Sequence, residues 1–495
     1  MEKIRKHHIF EIVFTTTKKM KGYFFQDDTK KRRMVGGFRK GENETALRFM
    51  PNAEGIWNYE IYDQDIKVRE GRFLCIEAEE NNHGMVKKKG YDFCYEDGVR
   101  FLPFGTTCYA WVHQKKDVIE QTLISLSKSP FNKVRMLLFP KDMIYNQNEP
   151  EYFPFEKDEN GWNVEKPVYA FWENLENCIA GLDSLGIEAD LILFHPYDRW
   201  GFADLTREQS LAYVEYVMNR LGAYKNIWWS LANEYDLVGS KEQEDWEEIG
   251  NFLMGHDPYG HLRSIHHCIN IYPKSSWMTH VSAQTPNGEK AFAYRYIYEL
   301  PVLNDECGYE GNIEFGWGNL SAKEMVHRIW MTVIRGGYAT HGETFFREDE
   351  VLWWAKGGTL YGESPARIAF FREVLESLNG VLEPEIGFDA TDPNGREEAA
   401  ESPFAKAMMK LPEEQRNDQI MQLLPFVISN ENHRLQYLGK ACQAWLNMFL
   451  PEGDYKIEVI DTWEMTRKTV SECANGNIRI ELPGKEGMAV LATRI

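Results

Sequence analysis

The sequence predicts an α/β protein: a (β/α)8 TIM barrel with N-terminal and C-terminal β-sandwich domains. Strand-like alternation fills both ends of the 495-residue chain, while its middle alternates short apolar runs with helical periodicity. Eight such runs fall within roughly 290 residues, the usual extent of an eight-fold barrel. The length itself exceeds one ordinary domain.

Residues 1–82 alternate at Ile9–Phe14, Glu44–Met50 and Gly55–Tyr62, with Gly, Asn and Asp clusters between, the pattern of a small β-sandwich. The barrel is expected over residues 83–388. Its strands are read at Phe101–Thr106, Lys133–Phe139, Ala189–His195, Ile227–Ala232, Arg263–Cys268, Thr279–Gln284, Val302–Glu306 and Gly337–Glu343. Helical periodicity separates most of them, at Asp117–Ser129, Tyr169–Leu185, Thr206–Leu221, Glu242–Met254 and Ala322–Arg335. Too little chain joins the fifth and sixth strands for a regular helix. Residues 389–495 open with a charged, helix-like passage over Asp389–Asp418. They then alternate at Tyr455–Asp461, Asn477–Leu482 and Ala489–Thr493, a second sandwich.

A net charge of −20 disfavours nucleic acid and anionic membranes as partners, and neutral substrates fit it. The 15 Trp, 24 Tyr and 28 Phe offer flat apolar faces that suit sugar rings, although large β-rich cores use aromatics too. No apolar run of signal-peptide length opens the chain, and none approaches the roughly 18 residues of a membrane span. The eight cysteines lack CxxC spacing and read as reduced thiols. These features lead us to expect a cytoplasmic protein without a cofactor, with homo-oligomerisation left open.

Barrel enzymes carry their catalytic groups at the carboxyl ends of the strands. The fourth strand ends in Asn233-Glu234 and the seventh in Asp305-Glu306. Glycosidic cleavage needs a carboxylic acid to protonate the leaving oxygen and a second carboxylate opposite it, about 5–5.5 Å away in retaining enzymes. Strands four and seven lie on opposing sides of an eight-stranded mouth. Glu234 is therefore expected as general acid/base and Glu306 as nucleophile. Asn233 supplies an amide for the sugar 2-hydroxyl, the competing reading being that Asn233-Glu234 caps a helix. Asp305 should point away from Glu306 by strand alternation, and Glu310 and Glu343 rival Glu306. Arg135, a cation in an apolar strand, needs a partner, either the nucleophile or a structural ion pair. Substrate contacts are expected from Trp111 after the first strand and from His195, Tyr197, Asp198 and Trp200 after the third. His280 and Gln284 of the sixth strand and His341, Glu343 and Trp354 after the eighth complete the set. Taken singly, each is better explained by ordinary packing than by ligand contact. Their clustering at strand ends singles out the group.

These strands resemble the acid/base and nucleophile strands of the large barrel clan of retaining glycosidases, in which Asn-Glu ends strand four and Glu ends strand seven. Asp97–Thr106, Ile227–Asp236, Asp257–His266 and Tyr338–Thr344 resemble apiosidase-like barrel glycosidases more closely. In bacterial members of that family the barrel often sits between two β-sandwiches. The resemblance implies a glycosidase acting on carbohydrate and names the barrel, not the sugar. Thr106-Thr107-Cys108 departs from it, since relatives usually carry Asp-Thr-Ala there; if that Asp binds sugar, a different glycone is implied.

Two other readings compete. His195, His266, His267, His280 and His341 near strand ends could serve a metal-dependent hydrolase, against which the first strand lacks a His-x-His pair. A non-catalytic carbohydrate-binding barrel is the second, and the presence of both carboxylates argues against it.

Overall fold

Eight parallel strands make one sheet: β1 (Gly105–Thr107), β2 (Lys133–Leu137), β3 (Glu188–Phe194), β4 (Ile227–Ala232), β5 (Arg263–Ser264), β6 (Val281–Gln284), β7 (Val302–Glu306) and β8 (Tyr338–His341). The computed structural model describes residues 1–27, 31–159, 161–385, 402–413, 415–416, 419 and 426–495. The strand order is β5-β4-β3-β2-β1-β8-β7-β6, and a parallel bridge between His266 and Ser282 joins its two ends. This is the (β/α)8 barrel that the strand-and-helix alternation predicts.

Helices follow where the periodicity puts them, over Lys116–Leu126, Tyr169–Ser184, Arg207–Leu221, Gln243–His256 and Ala322–Ile334. Thr206 starts the third with a capping box, its hydroxyl accepting from the Gln209 amide while the Gln209 side chain returns to the Thr206 amide. Among the described residues no helix joins β5 to β6, as the short connection requires. A helix over Lys290–Tyr298, between β6 and β7, is absent from the sequence reading.

The first strand differs from expectation. Arg100–Phe101 pairs with Asp92–Tyr95 in a small antiparallel sheet, and the barrel strand begins only at Gly105. Pro103 explains the break, since it has no N–H for a ladder.

The chain divides into two compact units, Met1–Ala283 with Phe346–Leu360, and Gln284–Phe345 with Tyr361–Ile495. In the first, a five-stranded sheet and the three-stranded sheet of Phe10–Thr15, Glu44–Phe49 and Phe38–Gly41 share one core. Every second residue points inward, so Phe10, Phe24, Phe49, Trp57 and Phe73 gather there, with Phe24 stacked on Phe49 at 4.2 Å. In the second, Tyr455–Asp461 and Met488–Arg494 pair within a six-stranded sheet. The ribbon of Trp445–Phe449 and Asn477–Glu481 lays Leu446, Met448 and Ile480 against Ile457 and Val490. The passage Asp389–Asp418 lies largely outside the described residues, although Pro403–Met408 within it is helical. No helix among the described residues is long and apolar enough to cross a membrane.

Candidate active site

Polar side chains inside a barrel must find partners, and those of β2 and β3 do. Arg135 is fully buried on β2, its Nε 3.9 Å from Asp190 of β3. The same carboxylate takes Lys133 at 2.8 Å. Arg135 reaches on to the end of β4: Nη2 donates to Asn233 Oδ1 at 3.0 Å and Nη1 to the Tyr109 hydroxyl at 3.3 Å. Tyr109 donates in turn to the same Asn233 oxygen at 3.0 Å. With its oxygen held by two donors, Asn233 turns its Nδ2 toward Glu234 Oε2, 3.4 Å away.

Glu234 is buried, and its backbone is left-handed, with φ 49° and ψ 56°. A residue other than glycine stays in that region only where its surroundings over-determine it. Here they do. The Glu234 N–H donates to His266 Nδ1 at 3.3 Å, and the next N–H, of Tyr235, donates to the His266 carbonyl at 2.9 Å. The Glu234 side chain makes no capping bond to the 3-10 turn Tyr235–Leu237. Instead its carboxylate accepts a hydrogen bond from the Tyr197 hydroxyl.

Lys141, absent from the sequence reading, completes this cluster. It is 2% exposed, with Nζ 4.0 Å from the ring centre of Tyr109, 4.4 Å from Trp354 and 4.6 Å from Tyr197. It lies four residues past the end of β2, in the loop where the expectation of polar groups beyond strand ends applies.

In the second unit, Glu306 ends β7 partly buried, and Asp305 is fully buried, accepting from the Thr340 hydroxyl at 2.7 Å. Glu310 and Glu343 form a clamp on the chain entering the helix Ser364–Glu376. Glu343 accepts the amides of Tyr361 at 2.6 Å and Gly362 at 2.8 Å, and Glu310 those of Glu363 at 2.8 Å and Ser364 at 3.1 Å. Gly362 is required between them, since a Cβ there would lie 2.5 Å from Glu310 Oε2 and 2.7 Å from Glu343 Oε2. Burial first, then the neighbouring Glu310 charge, pushes the Glu343 carboxyl up to about 7 against the pull of the two amides. With His341 these two offer ligand-type atoms within 4.8 Å of one another. Their four carboxylate oxygens are already committed to amide donors, which suits a polypeptide clamp better than a cation site.

Comparison with known proteins assigns the chain. Residues 87–364 match the family model described as "Apiosidase-like, catalytic domain". The chain belongs to the apiosidase-like family. Residues 423–493 match a domain of unknown function, DUF5605. The crystal structure of "a putative glycoside hydrolase" from Bacteroides vulgatus ATCC 8482 is similar over 100% of both chains, at 31% identity and a TM-score of 0.87. A family 5 glycoside hydrolase from the same organism shares the fold at 13% identity and a TM-score of 0.62, over 83% of this chain and 94% of that one. No curated protein matches. The chain is accordingly a glycosidase.

Within this apiosidase-like barrel the other expected residues take varied places. Trp354 and Tyr197 join Lys141 as described. Trp111 is fully buried in the turn after β1. His195 is buried against the Phe139 carbonyl at 3.3 Å, and burial, helped by the Lys141 charge, lowers it to about 3, a neutral imidazole. Asp198 accepts the amides of Trp200 at 2.8 Å, Gly201 at 3.1 Å and Ala203 at 2.6 Å, ordering the loop after β3, while burial raises its carboxyl. Trp200 donates to Glu149 at 3.0 Å under the Arg199 guanidinium. His341 ends β8 fully buried, and burial lowers it to about 3. Gln284 ends β6, partly buried. His280 precedes β6 and packs on Trp228 and Phe93, beside the start of β4 and away from its carboxyl end. Thr106 accepts the Trp353 indole N–H at 2.9 Å.

Proposed function

We propose that this apiosidase-like glycosidase cleaves O-glycosidic bonds of short glycosides or oligosaccharides by a retaining double displacement, with Glu234 as general acid/base and Glu306 as nucleophile. The observation that supports this most is the end of β4. Glu234 is buried with its carboxylate on the Tyr197 hydroxyl, and its neighbour Asn233 is fixed by Arg135 and Tyr109. Such pre-organisation holds reacting groups to one geometry without cost at the moment of reaction. Glu306 ends β7, where barrel chemistry sits.

In the first step a Glu306 oxygen bonds to the anomeric carbon as the glycosidic C–O bond breaks, and Glu234 gives its proton to the leaving oxygen. In the second, Glu234 takes a proton from water, which displaces Glu306 and restores the first configuration. Asn233 Nδ2 is the amide available to the sugar 2-hydroxyl. The reading extends to a barrel over residues 83–388 between sandwiches over 1–82 and 389–495. It extends also to neutral, soluble substrates met in the cytoplasm, which the charge of −20 and eight free thiols suit.

The test is a screen of aryl glycosides with proton NMR of the first-formed product. Retained anomeric configuration is expected, with Glu306→Gln abolishing turnover while sugar binding persists. Inverted product, or full turnover by the Glu306 variant, refutes the mechanism.

A further inference from the structure

The loop after β2 carries a charged side chain that neither proposed chemical step uses. Lys141 is almost wholly buried, yet its ammonium meets three aromatic faces, those of Tyr109, Tyr197 and Trp354, all within 4.6 Å of their centres. Cation–π attraction strengthens when the cation is stripped of water, so this contact fixes ring planes as well as the ammonium. Two of those rings carry the hydroxyls on which the site depends. Tyr109 donates to Asn233 Oδ1 at 3.0 Å, and Tyr197 donates to Glu234.

The backbone beneath is equally constrained. Asn146 donates to the Lys141 carbonyl at 2.9 Å, and the amide of Asp142 donates to the Tyr197 carbonyl at 2.8 Å. The first bond braces the loop after β2 upon itself, and the second ties it to the loop after β3.

We propose that Lys141 is a positioning residue for proton donation: by holding the faces of Tyr197 and Tyr109 it aims the Glu234 carboxyl at the glycosidic oxygen. The inference rests on Glu234 being the acid/base of the proposed function. It assigns a role to a residue outside the acid–nucleophile pair, and it predicts which substrates suffer when that residue is lost. A leaving group that departs unaided needs no proton from Glu234. A poor leaving group does.

The experiment compares Lys141→Met, Lys141→Arg and Glu234→Gln on phenyl and 2,4-dinitrophenyl glycosides of the sugar that the wild type hydrolyses in the aryl-glycoside screen. Lys141→Met should lower kcat/KM on the phenyl glycoside by about tenfold or more, the range of a desolvated cation–π contact, and change the dinitrophenyl rate little. Lys141→Arg, which keeps a cation over the rings, should recover most of the phenyl activity. Equal losses on both substrates, or none on either, overturn the proposal, as does an arginine variant no better than methionine. Should methionine prevent folding, Lys141→Gln makes the same comparison. Failure of the underlying reading looks different, because Glu234→Gln would then show no dependence on the leaving group.

Discussion

Raising the pH from 5 to 8 should strip a proton from Glu343 that the folded chain holds and the unfolded chain does not. The carboxyl is 1% exposed, and burial beside Glu310 lifts it from 4.5 to about 7. Between those values the native state binds more protons than the unfolded one, so this contribution is fully present below pH 4.5 and is lost as the pH rises through about 7. At about 1.4 kcal/mol per pH unit the gap amounts to about 3 kcal/mol. Glu343→Gln removes the titration. It also sacrifices one acceptor for the amides of Tyr361 and Gly362, a loss that does not vary with pH. Urea midpoints of wild type and variant, measured at half-unit steps from pH 5 to 8, isolate the difference. The wild type should lose stability relative to the variant across this window and run parallel to it above about pH 8. Parallel profiles throughout would falsify the assignment of a raised carboxyl to this clamp.

Three further outcomes are expected. Arg135→Met breaks a buried pair and frees Asn233, so it should cost about 3 kcal/mol or more and lower kcat, whereas Lys133→Met, which shares Asp190 but does not touch Asn233, should lower stability with kcat kept; equal kcat losses in both would contradict this division. Tyr197→Phe removes the donor to Glu234 and should slow the phenyl glycoside by about ten- to a hundredfold, the worth of one hydrogen bond to a charged group, as read from kcat/KM. Dialysis against EDTA should leave turnover intact because the Glu310–Glu343 oxygens already serve amides, and activity restored only by added metal would revive the metal-dependent reading.

The elements most legible in the sequence are those whose pattern is local. An apolar run closed by a carboxylate marks β4 and β7 without any knowledge of the fold, and capped helices such as Arg207–Leu221 announce their own starts. The helix Lys290–Tyr298 escapes because its run of Phe, Tyr and Ile among Ala and Arg lacks a clean polar face. Strand ends were harder to orient than to find. His280 belongs to the run that forms β6 but precedes it, and one strand's length separates its two ends. Arg135 offered two readings from sequence, and Asp190, the carboxylate 3.9 Å from its Nε, is itself a lone charge within the apolar run Ala189–Phe194. Pairings of this kind are set across strands and carry no mark in either strand alone.

The left-handed turn at Glu234 joins the fold to the chemistry. A strand that simply continued would send successive side chains to opposite sides, and Asn233 and Glu234 could not both serve one site. Reversing the backbone at φ 49° lets Asn233 Nδ2 and the Glu234 carboxylate lie 3.4 Å apart, at a cost of about 1 kcal/mol or more. That conformation persists because it is held from outside: by His266 on the following strand's connection, by Arg135 and Tyr109 through Asn233, and by Tyr197 through the carboxylate. Four elements of the first unit therefore converge on two consecutive residues. A helix cap needs none of them, whereas a proton donor that must hold one aim through a reaction needs each.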